Sequence, residues 1–592
     1  MNFSSLPGEL ILLIAESLDA ERDLNALSRC SHQLHSQLSD TLLLHNIQYR
    51  QSSALIFAAS QGDLALATRM IELGACVDTA IEDVSATPLY YSAENGYTAI
   101  FSLLLANGAN PNFAFNNRWT SICAAAAAGQ EQIVKILLER EDVEFYAHKP
   151  TPFALSCHRG HEKLMRLFLD KPGFDVTATG PNAYPLLGAV LGGHEAAVRM
   201  LLEDGRFDPN FLDVDLDKSV LMYAAEIGRE SVVKLLLEHG ADPNLKNQSL
   251  DFTALFFAVK ADQDAIVRLF LTREDVDPNM QCRDSGLSIL LWAAFKGSTT
   301  VLKTLLEHPA VDVHSKNSQG QNALMIAIEQ DQEASTKIVL ADGRISVHET
   351  DQYNRGPLAY AALRNQTNTM QLLLEAGVAA DHRDDYGRTP LISVCSPEAA
   401  SILLLKEGVE ADGRDKNGRS PLSWAAGEGW VEVSELLLAH GAEVDSQDNK
   451  GWTPLFWTTM AKHKVAKLLL ERGADPNLLD HEGRTPLLVL MTESAVATPR
   501  CRDELVSSLL SSGADPNARD KDGRTALSFA AGFAFHGAMK LLLEHEGTDR
   551  DTVDDQGQTA AWWAQFVGSD EYEDKTLDEI RESIEILETW AR

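Results

Sequence analysis

The chain has 592 residues, and its acidic side chains outnumber the basic ones by 86 to 51, giving a formal charge of −35. A single packed core stops growing at ~250–300 residues, so this length means several domains or an elongated repeat array. The charge repels phosphate backbones and anionic bilayers, which argues against nucleic acid or a membrane as partner. Cys30, Cys76, Cys123, Cys157, Cys282, Cys395 and Cys501 are odd in number, far apart and without a C-x-x-C pair. They predict buried thiols in a reducing compartment, with neither a disulfide framework nor a metal site. The apolar runs Leu10 to Ala15 and Ile122 to Ala128 are too short to span a bilayer, so a protein of the cytoplasm, the nucleus or both is expected.

Residues 1–48 stand outside the periodicity of the rest and read as two or three helices. Pro7 opens the first, with Glu9 in its opening turn, and Leu10, Ile11, Ile14 and Leu18 form one apolar face. Asp23 caps the second, whose face holds Leu24, Leu27 and Leu34. The opening Leu6-Pro7-x-Glu9-Leu10 and the later Asp23-Leu24-x-x-Leu27 resemble an F-box. The third segment departs from that pattern, with Leu34 near the place of a usual aromatic residue. The resemblance implies that Leu6, Pro7, Leu10, Ile11, Ile14, Leu18, Leu24 and Leu27 contact a Skp-family adaptor and, through it, a cullin. The alternative is that these helices only cap the open end of a solenoid.

From residue 49 onward a period near 34 residues recurs sixteen times, marked by one apolar residue per unit from Leu55 through Leu221, Leu358 and Leu455 to Ala561. The sixth unit is the clearest: a short helix over 221–227, a turn at Gly228, a second helix carrying Val232, Val233, Leu235, Leu236 and Leu237, then Gly240. Thr389, Thr453 and Thr485, each followed by proline, are expected to cap first helices. Stretches such as Asp415-Lys416-Asn417-Gly418 predict projecting hairpins. Helices this short are marginal alone and must bury their faces on neighbours.

The order Thr-Pro-Leu, Ala-Ala, Gly, Leu-Leu-Leu, Gly-Ala-Asp-Pro-Asn resembles the ankyrin repeat. It implies an all-α solenoid of helix pairs over 49–592, with hairpins and first helices lining one face. The unbroken register predicts one continuous array whose last unit is a helical cap with Leu577, Ile580, Ile584 and Leu587 on its apolar side.

The residue two after the marker is aromatic in ten units, among them Phe57, Tyr223, Phe257, Tyr360, Trp424, Trp457 and Trp563. A nucleotide-stacking stripe is one reading; an internal ladder beside the Ala-Ala pair is preferred. His161 and His194 read as structural hydrogen-bonding residues. The eleventh unit loses about two residues near Pro397, and the fourteenth gains about seven around Thr492 to Asp503; a contact element is one reading of this loop, and a tolerated surface insertion is preferred.

No G-x-x-x-x-G-K-[ST], H-E-x-x-H or G-x-S-x-G motif is present, so no catalytic residue, metal or cofactor is expected. A protein client is expected on the hairpin side of units ten to fourteen, where Tyr353, Arg355, Tyr386, Arg388, Arg419, Trp452 and Arg484 precede their markers. Together with the F-box resemblance, this implies the substrate receptor of a cullin-RING ubiquitin ligase. The rival reading is a scaffold unrelated to ubiquitin.

Overall fold

The computed structural model describes residues 32–49, 52–80, 86–114, 119–147, 150–177, 184–213, 216–460, 462–492, 498–565 and 577–589. Its contacts divide the chain into Met1–Asp284, holding repeats one to seven, and Ser285–Arg592, holding repeats eight to sixteen. The predicted adaptor contacts Leu6, Pro7, Leu10, Ile11, Ile14, Leu18, Leu24 and Leu27 lie outside the described residues.

Both units are built from the expected helix pairs. Repeat six has helices Val220–Glu226 and Glu230–Glu238. Ser219 Oγ accepts the Met222 N–H at 3.2 Å and so closes the first. The second buries Val232, Val233, Leu235, Leu236 and Leu237, apolar positions at helical spacing that need a neighbour to cover them. First helices pack side by side, Val220–Glu226 on Ala254–Lys260 in the first unit and Ala526–Gly532 on Ala560–Gln565 in the second. Regular strand among the described residues is confined to Leu212–Asp213 paired antiparallel with Lys218–Ser219.

The aromatic ladder is internal. Tyr223, Phe257, Tyr360 and Phe529 are buried, and Trp424, Trp457 and Trp563 are half-buried. Phe57 departs from it at 60% exposure. His161 Nε2 lies 3.0 Å from the Ala127 carbonyl of the preceding repeat, the structural role expected.

Several expectations are corrected. Thr389 and Thr453 make no side-chain cap bond. Their helices, Pro390–Ser393 and Pro454–Trp457, are a single turn long. In each, the threonine carbonyl takes the N–H that the hydroxyl would have accepted, Ile392 N at 3.1 Å and Phe456 N at 3.0 Å. Thr485 does cap, accepting from Leu488 N at 3.3 Å. In repeat eleven the shortened turn is bridged from the previous repeat, since Asn365 Oδ1 accepts both Cys395 N and Ser396 N at 3.0 Å.

The insertion in repeat fourteen is not only loop. Pro499–Ser511 is a 13-residue helix capped by Thr498, so part of the extra length extends the second helix. At the C-terminal end, helix Leu577–Thr589 turns Ile580, Ser583 and Ile586 inward, a face rotated from the one expected, and His536 Nε2 lies 3.0 Å from Ser583 Oγ. Finally, Cys123, Cys157 and Cys282 are buried as predicted, but Cys76 and Cys395 are exposed. Burial pushes the Cys157 thiol well above its ordinary range.

Candidate interaction face

The hairpins of repeats ten to sixteen are each organised by one aspartate: Asp351, Asp384, Asp415, Asp448, Asp480, Asp520 and Asp554. Its Oδ1 accepts the backbone N–H groups two and four residues on, for example Tyr353 N at 2.9 Å and Arg355 N at 2.7 Å, or Tyr386 N at 2.9 Å and Arg388 N at 2.8 Å. An Asx turn results, which an Asp-x-x-Gly segment forms readily. Oδ2 is then matched by a guanidinium or a ring donor. Arg355, Arg388, Arg484 and Arg524 donate Nε to their own hairpin's aspartate at 2.7, 2.8, 3.0 and 2.9 Å. The Tyr360 hydroxyl reaches Asp351 at 2.7 Å, and the Trp424, Trp457 and Trp563 indoles reach Asp415, Asp448 and Asp554 at 3.1, 3.1 and 3.0 Å. Burial raises the Asp351 carboxyl, but the Arg355 N–H, the Tyr360 hydroxyl and the Arg355 guanidinium outweigh it and hold the group below the usual carboxylate range.

Successive hairpins bond tip to tip: Asp385 N to Tyr353 O at 2.9 Å, Lys416 N to Tyr386 O at 2.8 Å, Asn449 N to Asn417 O and His481 N to Lys450 O at 2.9 Å each. The fourth place of the turn is left-handed, held by Asn354 at φ +60° in repeat ten and by Gly387 in repeat eleven. The φ of Gly387 is +76°, and a Cβ there would lie 2.9 Å from Lys416 N.

This geometry sorts the predicted client residues into two rows. The third residue of each turn, Asp-x-x-Asn in repeat ten and Asp-x-x-Gly in the others, points outward, and there Tyr353 and Tyr386 are 39% and 54% exposed. Their ring centroids are 6.5 Å apart, and Arg355 and Arg388 sit over them at 5.2 and 4.8 Å. The residue after the turn's left-handed glycine, or after Asn354 in repeat ten, turns back toward the helices. Arg355, Arg388 and Arg484 occupy that place and brace the aspartates.

Trp452 also occupies it and is 3% exposed. Its Nε1 reaches Asp480 at 3.3 Å, and its ring packs on Phe456 and Trp457. Arg419 is clamped between Trp424 and Trp457 at 3.8 and 3.6 Å. Desolvation there pulls its pKa below the ordinary range against the pull of Asp415, Asp448 and Glu428. The expectation that all seven residues line up on one edge is therefore corrected: Trp452 and Arg419 serve the interior of the stack. The outward row contains Tyr353, Tyr386, Asn417, Lys450 and Glu482. Sequence reading passed over the last three and could have found them from their place in the turn.

A second face lies in the first unit. In repeat three Ala124 stands where the ladder carries an aromatic, and the helix is alanine-rich. A hollow of about 280 Å³ opens there, lined by Tyr90, Glu94, Trp119, Ala124, Ala127, Ala128 and Arg159. Among the described residues no helix is long and apolar enough to cross a membrane.

The family model for ankyrin repeats matches residues 24–115, 179–247, 255–351, 394–480 and 494–572, more than half of the chain. The chain is 28% identical over 196 residues to the ankyrin repeat and KH domain-containing protein mask-1 of Caenorhabditis elegans, covering 32% of this chain and 7% of the relative. It is 23% identical over 213 residues to human transient receptor potential cation channel subfamily A member 1, covering 34% and 18%. The chain thus spans less than a fifth of these relatives. A solved ankyrin repeat domain from Acinetobacter baumannii AYE is 28% identical, with 32% of this chain and 96% of that one covered at a TM-score of 0.29.

Proposed function

The chain belongs to the ankyrin-repeat family, and on that premise we propose that it is a substrate receptor whose client docks on the hairpin tips of repeats ten to fourteen. The observation behind the docking site is the pair Tyr353 and Tyr386, large rings left exposed on adjacent tips whose backbones are fixed to each other. Exposed aromatics on a rigid frame give contact area at small entropic cost. Arg355 and Arg388 help by stacking on those rings, since their guanidinium groups are already committed to Asp351 and Asp384. The F-box resemblance of residues 1–48 supports a link to a Skp-family adaptor and a cullin. In that arrangement the protein supplies proximity and other chains transfer ubiquitin.

A second reading has its own observation. Helix His32–Tyr49 docks on repeat one: Ala54 N donates to Asn46 Oδ1 at 2.9 Å, and Arg69 Nε donates to Asp40 Oδ1 at 2.9 Å. The family match also begins at residue 24. Both favour a scaffold unrelated to ubiquitin, with these helices covering the solenoid's end. Affinity capture with the intact chain and with Leu10→Glu separates the two. Adaptor and cullin peptides lost from the variant while client peptides persist support the receptor, and identical recoveries leave the scaffold.

A further inference from the structure

Neighbouring repeats are also stitched together where the second helix gives way to the next hairpin, and there one side chain does two jobs. Asn210 accepts Asp242 N at 2.7 Å and donates Nδ2 to Gly240 O at 3.1 Å. Asn477 accepts Asp515 N at 2.7 Å and donates to Gly513 O at 2.9 Å. Asn517 does the same with Asp549 N and Gly547 O, both at 2.7 Å. Each joint thus uses the carbonyl and the amino group of one amide, between an N–H and the carbonyl two residues before it.

Repeats eleven and twelve carry aspartate at this place. Asp412 takes the Glu443 N–H on both oxygens at 3.0 Å, and Asp445 takes the Asp475 N–H at 3.1 and 3.3 Å. An ionised carboxylate accepts only, so the corresponding carbonyls, Gly441 O and Gly473 O, receive no side-chain donor among the described residues. The amides themselves belong to acidic residues, Glu443 and Asp475. Around Asp412 stand Glu410 and Arg414 of its own segment and Glu443 of the next repeat; Arg414 is itself paired with Glu443 at 3.3 Å. Arg383 of the preceding hairpin passes nearby but donates to the Arg414 and Gly387 carbonyls. Around Asp445 stand Glu443 and Asp475.

We propose that these two consecutive joints are acid-tightened: on protonation each carboxyl gains an O–H that donates to Gly441 O or Gly473 O, completing the bond pair that asparagine makes elsewhere. The proton comes from solvent and no other group changes state. Desolvation, with the nearby acids, holds both carboxyls above their ordinary value while folded. The folded protein then binds more protons than the unfolded chain, so these joints strengthen as pH falls from neutral toward the ordinary aspartate value of ~3.9. The inference does not depend on which client or adaptor is bound.

Hydrogen–deuterium exchange of the full chain tests it, read on peptides containing the Glu443 and Asp475 amides at about pH 7.5 and at about pH 4, near the ordinary aspartate value, and corrected for intrinsic rates. Protection of these amides should rise several-fold on acidification, while the Asp242 amide at the Asn210 joint stays level. Asp412→Asn with Asp445→Asn should show the higher protection at both pH values. Level protection at 443 and 475 in the parent chain, or no gain in the asparagine variant at the higher pH, overturns the proposal.

Discussion

Single residues in the hairpins divide into those that hold the frame and those it presents. Asp351 belongs to the first kind, buried and bonded by two N–H groups, a guanidinium and a hydroxyl. Because its folded pKa lies below the ordinary one, its stabilising contribution is full above ~pH 3.9 and is lost as pH falls through the folded value. Asp351→Asn should lower stability by about 1–3 kcal/mol at neutral pH and flatten the acid branch of a denaturation profile. Trp452→Ala should cost ~3–5 kcal/mol, since it empties a packed site and strips Asp480 of a donor. By contrast, Tyr353→Ala with Tyr386→Ala should leave urea unfolding nearly unchanged, within about 0.5 kcal/mol per site. The same pair should weaken client capture by at least ~2 kcal/mol, and unchanged recovery would place the client elsewhere.

At the scale of the element, the repeats show how one motif tolerates local damage. Ser396 restarts repeat eleven after its shortened turn by accepting Ala399 N at 3.1 Å. Ser396→Ala should therefore cost about 1 kcal/mol. Thr453 sits in what resembles the same capping role, yet its buried hydroxyl has no hydrogen-bond partner among the described residues. Thr453→Val should be neutral or stabilising, because it removes an unsatisfied polar group without loss of shape. Comparing the two by thermal unfolding distinguishes a true cap from a threonine that only precedes a proline.

For the molecule as a whole, a charge of −35 means that like charges repel along the chain, and salt screens them over a Debye length of ~8–10 Å. Raising ionic strength from about 0.02 to about 0.2 M should raise the unfolding temperature, and a fall would show that ion pairs dominate instead. Many of the ion pairs join exposed side chains, such as Lys467 with Glu471 or Lys521 with Glu482, and such pairs contribute little. The buried aspartates are the exception, and they are backed by fixed donors.

The period near 34 residues, the two helices per unit and the glycines between them followed from sequence alone, since they rest on local propensity and apolar spacing. The internal character of the aromatic ladder was legible for the same reason, beside an Ala-Ala pair that has to pack. Which hairpin residue faces out was decided only by tertiary structure. Tyr386 and Arg388 are two residues apart, yet one projects and the other folds back on Asp384. That outcome depends on an Asx turn closing around a buried carboxylate and on the next hairpin fixing its tip. Trp452 shows the consequence. As a residue type it suits an interface, but its place after the glycine and the reach of its indole to Asp480 in the following hairpin put it inside.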